Sequence, residues 1–112
     1  MKRKGTAVWK GGLKDGKGTL STESGVLKDA AYSFGTRFEI GIGTNPEELI
    51  GAAHAGCFSM ALSMMLGDGG HPPEKIETTA TVTLDKTDKG PTITAVHLDV
   101  TVTAPGLDPA EF

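Results

Sequence analysis

The sequence predicts an α+β fold in which short strands precede and follow one long helix. Glycine makes up 16 of the 112 residues, about twice the usual ~7%, which indicates many tight turns. Residues 44–67 form the one long helix-like segment, and residues 76–86 and 92–104 show the alternation of apolar and polar side chains typical of strands. A chain of this length fits a single domain, which we expect to span residues 1–112.

Capping chemistry marks the start of the helix. Asn45 is a favourable N-cap, and Pro46 follows at the first helical position, where its missing N–H costs nothing. Glu48 stands three residues after the cap and completes a capping-box pattern, while Glu47 suits the positive end of the helix dipole. We therefore expect the helix to begin at Pro46.

The helix carries no charged side chain between Glu48 and Asp68, and its apolar residues cover more than one face. This pattern predicts a central helix buried nearly all round, with Cys57 near its middle. The uncharged run is also about long enough to span a bilayer. Glycine, serine and histidine within it lower its hydrophobicity, and no basic cluster flanks it, so a buried helix of a soluble protein fits better.

The remaining chain predicts strands and turns. A first strand over residues 6–10 and a second over 19–22 should form a hairpin across the glycine-rich turn at 11–18. Short β-like pieces are expected near 26–27 and 32–34, before the T-R-F-E segment at 36–39. In the last strand the apolar residues occupy odd-numbered positions up to Ala95 and even-numbered positions from Val96 onward, and this change predicts a β-bulge near Ala95.

Composition excludes several classes of protein. The formal net charge is −3 and the basic residues are scattered, so neither a nucleic-acid footprint nor an anionic-membrane patch is indicated. One cysteine cannot form an internal disulfide framework, and no secretory apolar segment follows Met1, so we expect a cytoplasmic protein. Residues 108–111, D-P-A-E, have the same pattern as the start of the long helix: an N-cap residue, proline at the first helical position and glutamate at the third. Because Phe112 follows directly, we expect the chain to be truncated within a further helix.

Cys57 is the main candidate for chemistry. A lone cysteine on an apolar helix is usually an inert small hydrophobe, and the helix dipole cannot activate a thiol about three turns from the N-terminus. His54 precedes Cys57 by three residues and shares its side of the helix, which permits a Cys-His pair for acyl transfer, although a histidine packed in the core fits the pattern equally well. A metal site from His54, Cys57 and His71 lacks the ligand spacing of zinc sites. Arg37, isolated among apolar and glycine residues in the loop expected to lead into the helix, is the better candidate for a cation that activates the thiol.

Three segments carry a resemblance to a known family. They are N-P-E-E-L-I-G-A-A-H-A-G-C-F-S-M-A-L at 45–62, K-G-T-L-S-T-E-S-G-V-L at 17–27 and T-R-F-E at 36–39. The chain resembles the OsmC branch of the OsmC/Ohr family of organic hydroperoxide reductases. The resemblance implies an intertwined homodimer with antiparallel sheets packed on the central helix. It also implies a cysteine-based peroxidase for oxidative and osmotic stress defence that needs no metal or other cofactor.

The resemblance also implies roles for individual residues. Cys57 would be the peroxidatic thiol, Arg37 would hold it as thiolate, and Glu47 would orient the arginine. Apart from the resemblance, the apolar character of Phe58 and Met60 favours a carbon-bearing substrate, and we expect both residues to contact it. An external dithiol is expected to act as reductant. Members of the family carry a second, resolving cysteine that these 112 residues lack. The rival interpretation is a non-catalytic binding or structural dimer in which Cys57 is buried and inert.

Overall fold

A computed structural model describes residues 1–38 and 42–108. The chain divides into two compact units, Met1–Leu49 and Ile50–Phe112. The first contains three strands, a short helix and the start of the long helix, and the second contains the rest of that helix and a long hairpin. The α+β class is confirmed, whereas the single domain stays a prediction.

The first unit is built on a three-stranded antiparallel sheet. Its strands are β1 (Gly5–Lys10), β2 (Lys17–Thr22) and β3 (Ala30–Tyr32), in the order β1-β2-β3. The predicted hairpin of the first two strands is confirmed. A Cβ at Gly16 would lie 2.2 Å from the Gly12 carbonyl oxygen, so the turn between these strands requires a glycine there.

The predicted β-like piece near residues 26–27 is wrong, because this segment is a bend. The Thr22 N–H donates to the Leu27 carbonyl at 2.9 Å, and the Leu27 N–H donates to Thr22 Oγ1 at 3.1 Å. The side chain of Thr22 thus replaces a strand partner, as hydroxyl side chains do in turns.

A second difference concerns Arg37, which lies on a short helix rather than in a loop. Strand β3 ends at Tyr32, and helix α1 (Phe34–Phe38) follows. Ser33 caps this helix: the Thr36 N–H donates to Ser33 Oγ at 3.3 Å, and the Ser33 N–H donates to Thr36 Oγ1 at 2.7 Å. The last residue of the T-R-F-E motif, Glu39, lies outside the described residues.

The long helix, α2 (Pro46–Asp68), begins where the sequence predicts. The Glu48 N–H donates to Asn45 Oδ1 at 2.8 Å, which confirms the N-cap. At the other end the His71 N–H donates to the Leu66 carbonyl at 2.8 Å, and Gly70 has a φ of 87°. A glycine in the left-handed region is the usual way to end a helix.

The second unit contains a long antiparallel hairpin of β4 (Lys75–Thr87) and β5 (Gly90–Thr103). Its turn contains only residues 88–89, so both strands run further than predicted. Thr83 pairs with Ala95 but Leu84 pairs with Ile93, which leaves Thr94 as the extra residue of a bulge. The bulge predicted near Ala95 is confirmed. The predicted helix start at residues 108–111 lies largely outside the described residues.

The prediction of a helix buried nearly all round is wrong, because only one face of α2 is covered. The covered face packs on β4: a Cβ at Gly51 would lie 3.2 Å from the Ala80 carbonyl oxygen, and Ser59 Oγ lies 2.7 Å from Thr78 Oγ1. A two-stranded hairpin can cover one side of a helix only. Within the second unit the covered residues of α2 lie on one side of the helix and are Gly51, Ala55, Phe58, Ser59, Leu62 and Leu66.

The opposite face of α2 is apolar and exposed. Met60 is 78% exposed and Met64 63% exposed, and Cys57 lies on the same side. By length and composition alone, α2 qualifies as one possible membrane span within the described residues, with 11% of its most apolar window buried. The side of α2 that carries Cys57 is therefore an exposed apolar surface.

Candidate active site

An arginine and a glutamate meet where α1 ends and α2 begins. Arg37 Nε donates to Glu47 Oε1 at 2.8 Å. The Glu47 side chain is 10% exposed and that of Arg37 is 39% exposed. A charge-assisted hydrogen bond with one partner buried fixes the guanidinium more firmly than a surface pair would. The structure thus brings two of the three predicted catalytic residues together.

The connection between the two helices holds this pair in place. Asn45 caps α2 and also donates from Nδ2 to the Thr36 carbonyl at 3.0 Å, so it joins the two helices. The Thr44 N–H donates to the Ala31 carbonyl at 2.8 Å. Gly43 has a φ of 131°, and a Cβ there would lie 2.4 Å from the same carbonyl oxygen, so only glycine fits. The N-P-E motif therefore provides Glu47 and also, through Asn45, fixes the start of α2 against α1.

Both Arg37 and Glu47 have polar atoms that form no hydrogen bond with the described residues. Glu47 Oε2 is buried and has no hydrogen-bond partner among the residues that the structure describes. Within the same residues, Arg37 bonds through Nε, and its terminal nitrogens have no hydrogen-bond partner. The Arg37 side chain is 39% exposed, so its terminal N–H groups are open to solvent and to a ligand. The pair can therefore receive a ligand that carries a hydrogen-bond acceptor.

Beside Arg37 lies a cavity of about 290 Å³ that is rich in aromatic side chains. We call it the aromatic pocket; its lining is Trp9, Leu13, Tyr32, Ser33, Phe34, Arg37 and Phe38. Trp9 and Tyr32 pair with the same residue of β2, Gly18, from either side. A Cβ at Gly18 would lie 2.6 Å from the Trp9 ring and 2.5 Å from the Tyr32 ring, so the glycine lets both rings lie over the sheet.

Sequence reasoning missed the aromatic pocket. Its residues come from β1, the turn after β1, β3 and α1, and no spacing within one element reveals them. The usable signal was Gly18, a glycine inside a strand whose cross-strand neighbours are both aromatic. Such a glycine often indicates that side chains or backbone approach closely.

Cys57 lies in the second unit, on the exposed face of α2, as a free thiol. Its exposure corrects the prediction of a buried cysteine, because the hairpin of β4 and β5 covers only the other side of α2. His54 is exposed as well. Phe58 is half-buried and Met60 exposed, and two residues two positions apart in a helix are about 200° apart around its axis. The two predicted substrate contacts therefore lie on different sides of α2.

The described residues offer no evident metal site. Across residues 1–38 and 42–108, no group of three or more histidine, cysteine, aspartate or glutamate side chains is arranged to hold a metal ion. The chemical groups that the described chain does provide are an exposed thiol, a fixed guanidinium with its carboxylate, and an aromatic pocket.

Comparison with solved structures gives the class of fold. The organic hydroperoxide resistance protein OhrB of Bacillus subtilis matches with a TM-score of 0.65 at 24% identity, over 96% of this chain and 76% of that chain. The organic hydroperoxide resistance protein OsmC of Legionella pneumophila matches with a TM-score of 0.63 at 26% identity, over 96% and 75%. The fold is that of hydroperoxide resistance proteins.

Comparison of sequences gives the family. The profile described as OsmC-like protein matches residues 39–112. Peroxiredoxin OsmC of Escherichia coli K12 and Peroxiredoxin OsmC of Shigella flexneri are each 60% identical over 110 residues, which is 98% of this chain and 77% of each relative. The chain belongs to the OsmC-like family, and the predicted resemblance is confirmed. It is an enzyme of the peroxidase class.

Proposed function

We propose that the protein reduces organic hydroperoxides to alcohols at Cys57, in defence against oxidative and osmotic stress. The observation that carries the proposal is the 60% identity to two peroxiredoxins in a chain that has one thiol, and that thiol is exposed. A peroxidase that works through cysteine has only this residue of the 112 to use. Within one chain this thiol is exposed, unlike the buried and inert cysteine of the rival interpretation.

The chemical step needs only the thiolate and a proton. The sulfur of Cys57 donates an electron pair to the distal peroxide oxygen, the O–O bond breaks, and the alkoxide that leaves takes up a proton to become the alcohol. Cys57 is oxidised to sulfenic acid and the peroxide is reduced by two electrons. No metal or prosthetic group takes part.

Arg37 and Glu47 form the activating pair in this proposal. A guanidinium beside a thiolate favours the charged form and stabilises the charge that develops on the peroxide. Glu47 fixes Arg37 through the 2.8 Å bond to Nε, which leaves the terminal nitrogens to face a ligand. Ten residues separate Glu47 from Cys57 along one helix, a rise of about 15 Å, so the glutamate cannot itself reach the thiol.

A homodimer fits the exposed face of α2. Ile50, Ala53, Cys57, Met60 and Met64 recur at intervals of three and four residues, as in a helix that packs against a partner. A second copy that covers this stripe would account for an uncharged helix in a soluble, cytoplasmic protein without a bilayer. It would also allow Arg37 and Glu47 of one chain to act on Cys57 of the other.

Recovery of the oxidised thiol needs a thiol from outside these 112 residues. A sulfenic acid condenses with a thiol to give a mixed disulfide and water, and a second thiol then releases the cysteine. The 112 residues contain no second cysteine, so both thiols come from outside this sequence, most simply from one dithiol molecule.

The decisive experiment moves the thiol without removing it. Cys57→Ser should abolish reduction of cumene hydroperoxide in the presence of dithiothreitol. The double variant Cys57→Ser/Ser63→Cys keeps one exposed cysteine on the same helix and serves as the matched control, because it has the same composition. We expect it to be inactive too. Peroxidase activity in Cys57→Ser would refute the proposal, and loss of activity in His54→Ala with Arg37→Met unaffected would favour the Cys-His alternative.

A further inference from the structure

We propose that the aromatic pocket binds the organic substituent of the hydroperoxide and selects substituents that contain a ring. The inference rests on the proposed function and adds to it the residues that set specificity. They lie in the first unit, on elements that the sequence analysis did not connect with substrate.

The arrangement of the rings suits an aromatic guest. Trp9 and Tyr32 have centroids 5.3 Å apart with planes tilted by 54°, and Phe34 and Phe38 have centroids 4.9 Å apart with planes tilted by 40°. Tilted pairs expose both ring faces and ring edges, and a further ring gains favourable edge-to-face contacts with either. A linear alkyl chain gains only the burial of its surface.

Arg37 gives the pocket a polar end. Its guanidinium carbon lies 5.3 Å from the centroid of the Phe38 ring, and its Nε is held by Glu47. The terminal N–H groups remain to donate to the peroxide oxygens. A ligand with a ring in the pocket and a hydroperoxide at the Arg37 guanidinium would use both ends. Hydrogen peroxide would use only the polar end.

The size of the pocket limits the guest. Its volume of about 290 Å³ lies near the lower limit of ~300 Å³ for ligand pockets. A phenyl group with a short branched linker fits this space, whereas a long acyl chain would extend beyond it. Cumene hydroperoxide, a phenyl ring on a branched carbon, is the matching probe, and tert-butyl hydroperoxide is its counterpart without a ring.

Binding can be measured without turnover, because Trp9 is the only tryptophan in the chain. The probe is 2-phenyl-2-propanol, the alcohol formed from cumene hydroperoxide, which cannot oxidise Cys57. We expect a saturable change in Trp9 fluorescence, with an affinity about ten-fold above that for tert-butanol. Leu13→Ala, at a pocket residue that is 65% exposed, should weaken binding with little risk to folding. Val26→Ala, at an exposed position outside the pocket, is the control.

Kinetics give an independent readout. Phe34→Leu removes a ring but keeps an apolar side chain, so KM for cumene hydroperoxide should rise about 3- to 10-fold with kcat unchanged. The kcat/KM for cumene hydroperoxide should therefore fall relative to that for hydrogen peroxide, a change in ratio that a general loss of structure would not produce.

Each contrary result has a separate meaning. Equal effects of Phe34→Leu on all three peroxides, or no saturable binding of the alcohol, would overturn the pocket assignment while loss of activity in Cys57→Ser upheld the proposed function. Probe binding that weakens as protein concentration rises would show that a second copy fills the pocket, and would overturn the assignment as well. Activity in Cys57→Ser would overturn the proposed function itself.

Discussion

The bond between Arg37 and Glu47 gives a stability prediction that can be worked from the structure. A hydrogen bond between charged groups contributes about 1.5–3 kcal/mol, and exposure of one partner reduces this through solvent screening. Glu47 is 10% exposed but Arg37 is 39% exposed. We therefore expect a coupling free energy of about 1–2 kcal/mol between the two side chains. Arg37→Met alone should cost more than this, because it leaves a buried carboxylate unpaired.

A double-mutant cycle measures the coupling. Urea unfolding of the original protein, Arg37→Met, Glu47→Gln and the double variant, followed by circular dichroism, gives four free energies of unfolding. Protein concentration must be equal in all four, because a dimer is stabilised by mass action. Additive effects, with a coupling below about 0.3 kcal/mol, would show that the pair is not fixed as described and would remove its proposed role in orienting the arginine.

Three further predictions concern the elements that support the site. Asn45→Ala should lower the free energy of unfolding in urea by about 1–2 kcal/mol, because the cap of α2 and its link to α1 are both lost; an unchanged midpoint would contradict this. Gly18→Ala should destabilise the protein and alter tryptophan fluorescence, whereas Gly56→Ala, where an added Cβ meets nothing within 4 Å, should stabilise it slightly in thermal melts. Met60→Glu should shift the protein from dimer to monomer in analytical ultracentrifugation, and a monomeric original protein would contradict the proposed dimer.

Local chemistry made much of the fold predictable. The start of α2 follows from Asn45, Pro46 and Glu48 and lies where the sequence predicts. The bulge opposite Thr83 follows from the parity change near Ala95. Both features depend on interactions within a few residues of one another, or on the period of a single strand, so the sequence is sufficient.

The features that the sequence did not predict depend on tertiary contacts. The predicted burial of α2 was too high. The absence of charged side chains predicts that the helix is covered, but it does not say whether the same chain provides the cover, and only one face of α2 is covered here. Helix α1 was missed because Ser33 and Thr36 cap five residues that have no helical period of their own. The aromatic pocket was missed because Trp9 and Tyr32 meet only through their pairing with Gly18. The motif residues Arg37 and Glu47, by contrast, meet as the family resemblance implies.

The central claim is that the peroxide transfers one oxygen atom to the thiol of Cys57. One equivalent of cumene hydroperoxide is added to the reduced protein without external thiol, the alcohol is quantified, and the protein is digested for mass spectrometry. We predict one equivalent of alcohol and oxidation of Cys57 to sulfenic acid, which dimedone, added to a parallel sample, converts to a thioether adduct on Cys57. Alcohol formed while Cys57 remains unmodified, or an unreacted peroxide beside a reduced and exposed Cys57, would contradict the claim.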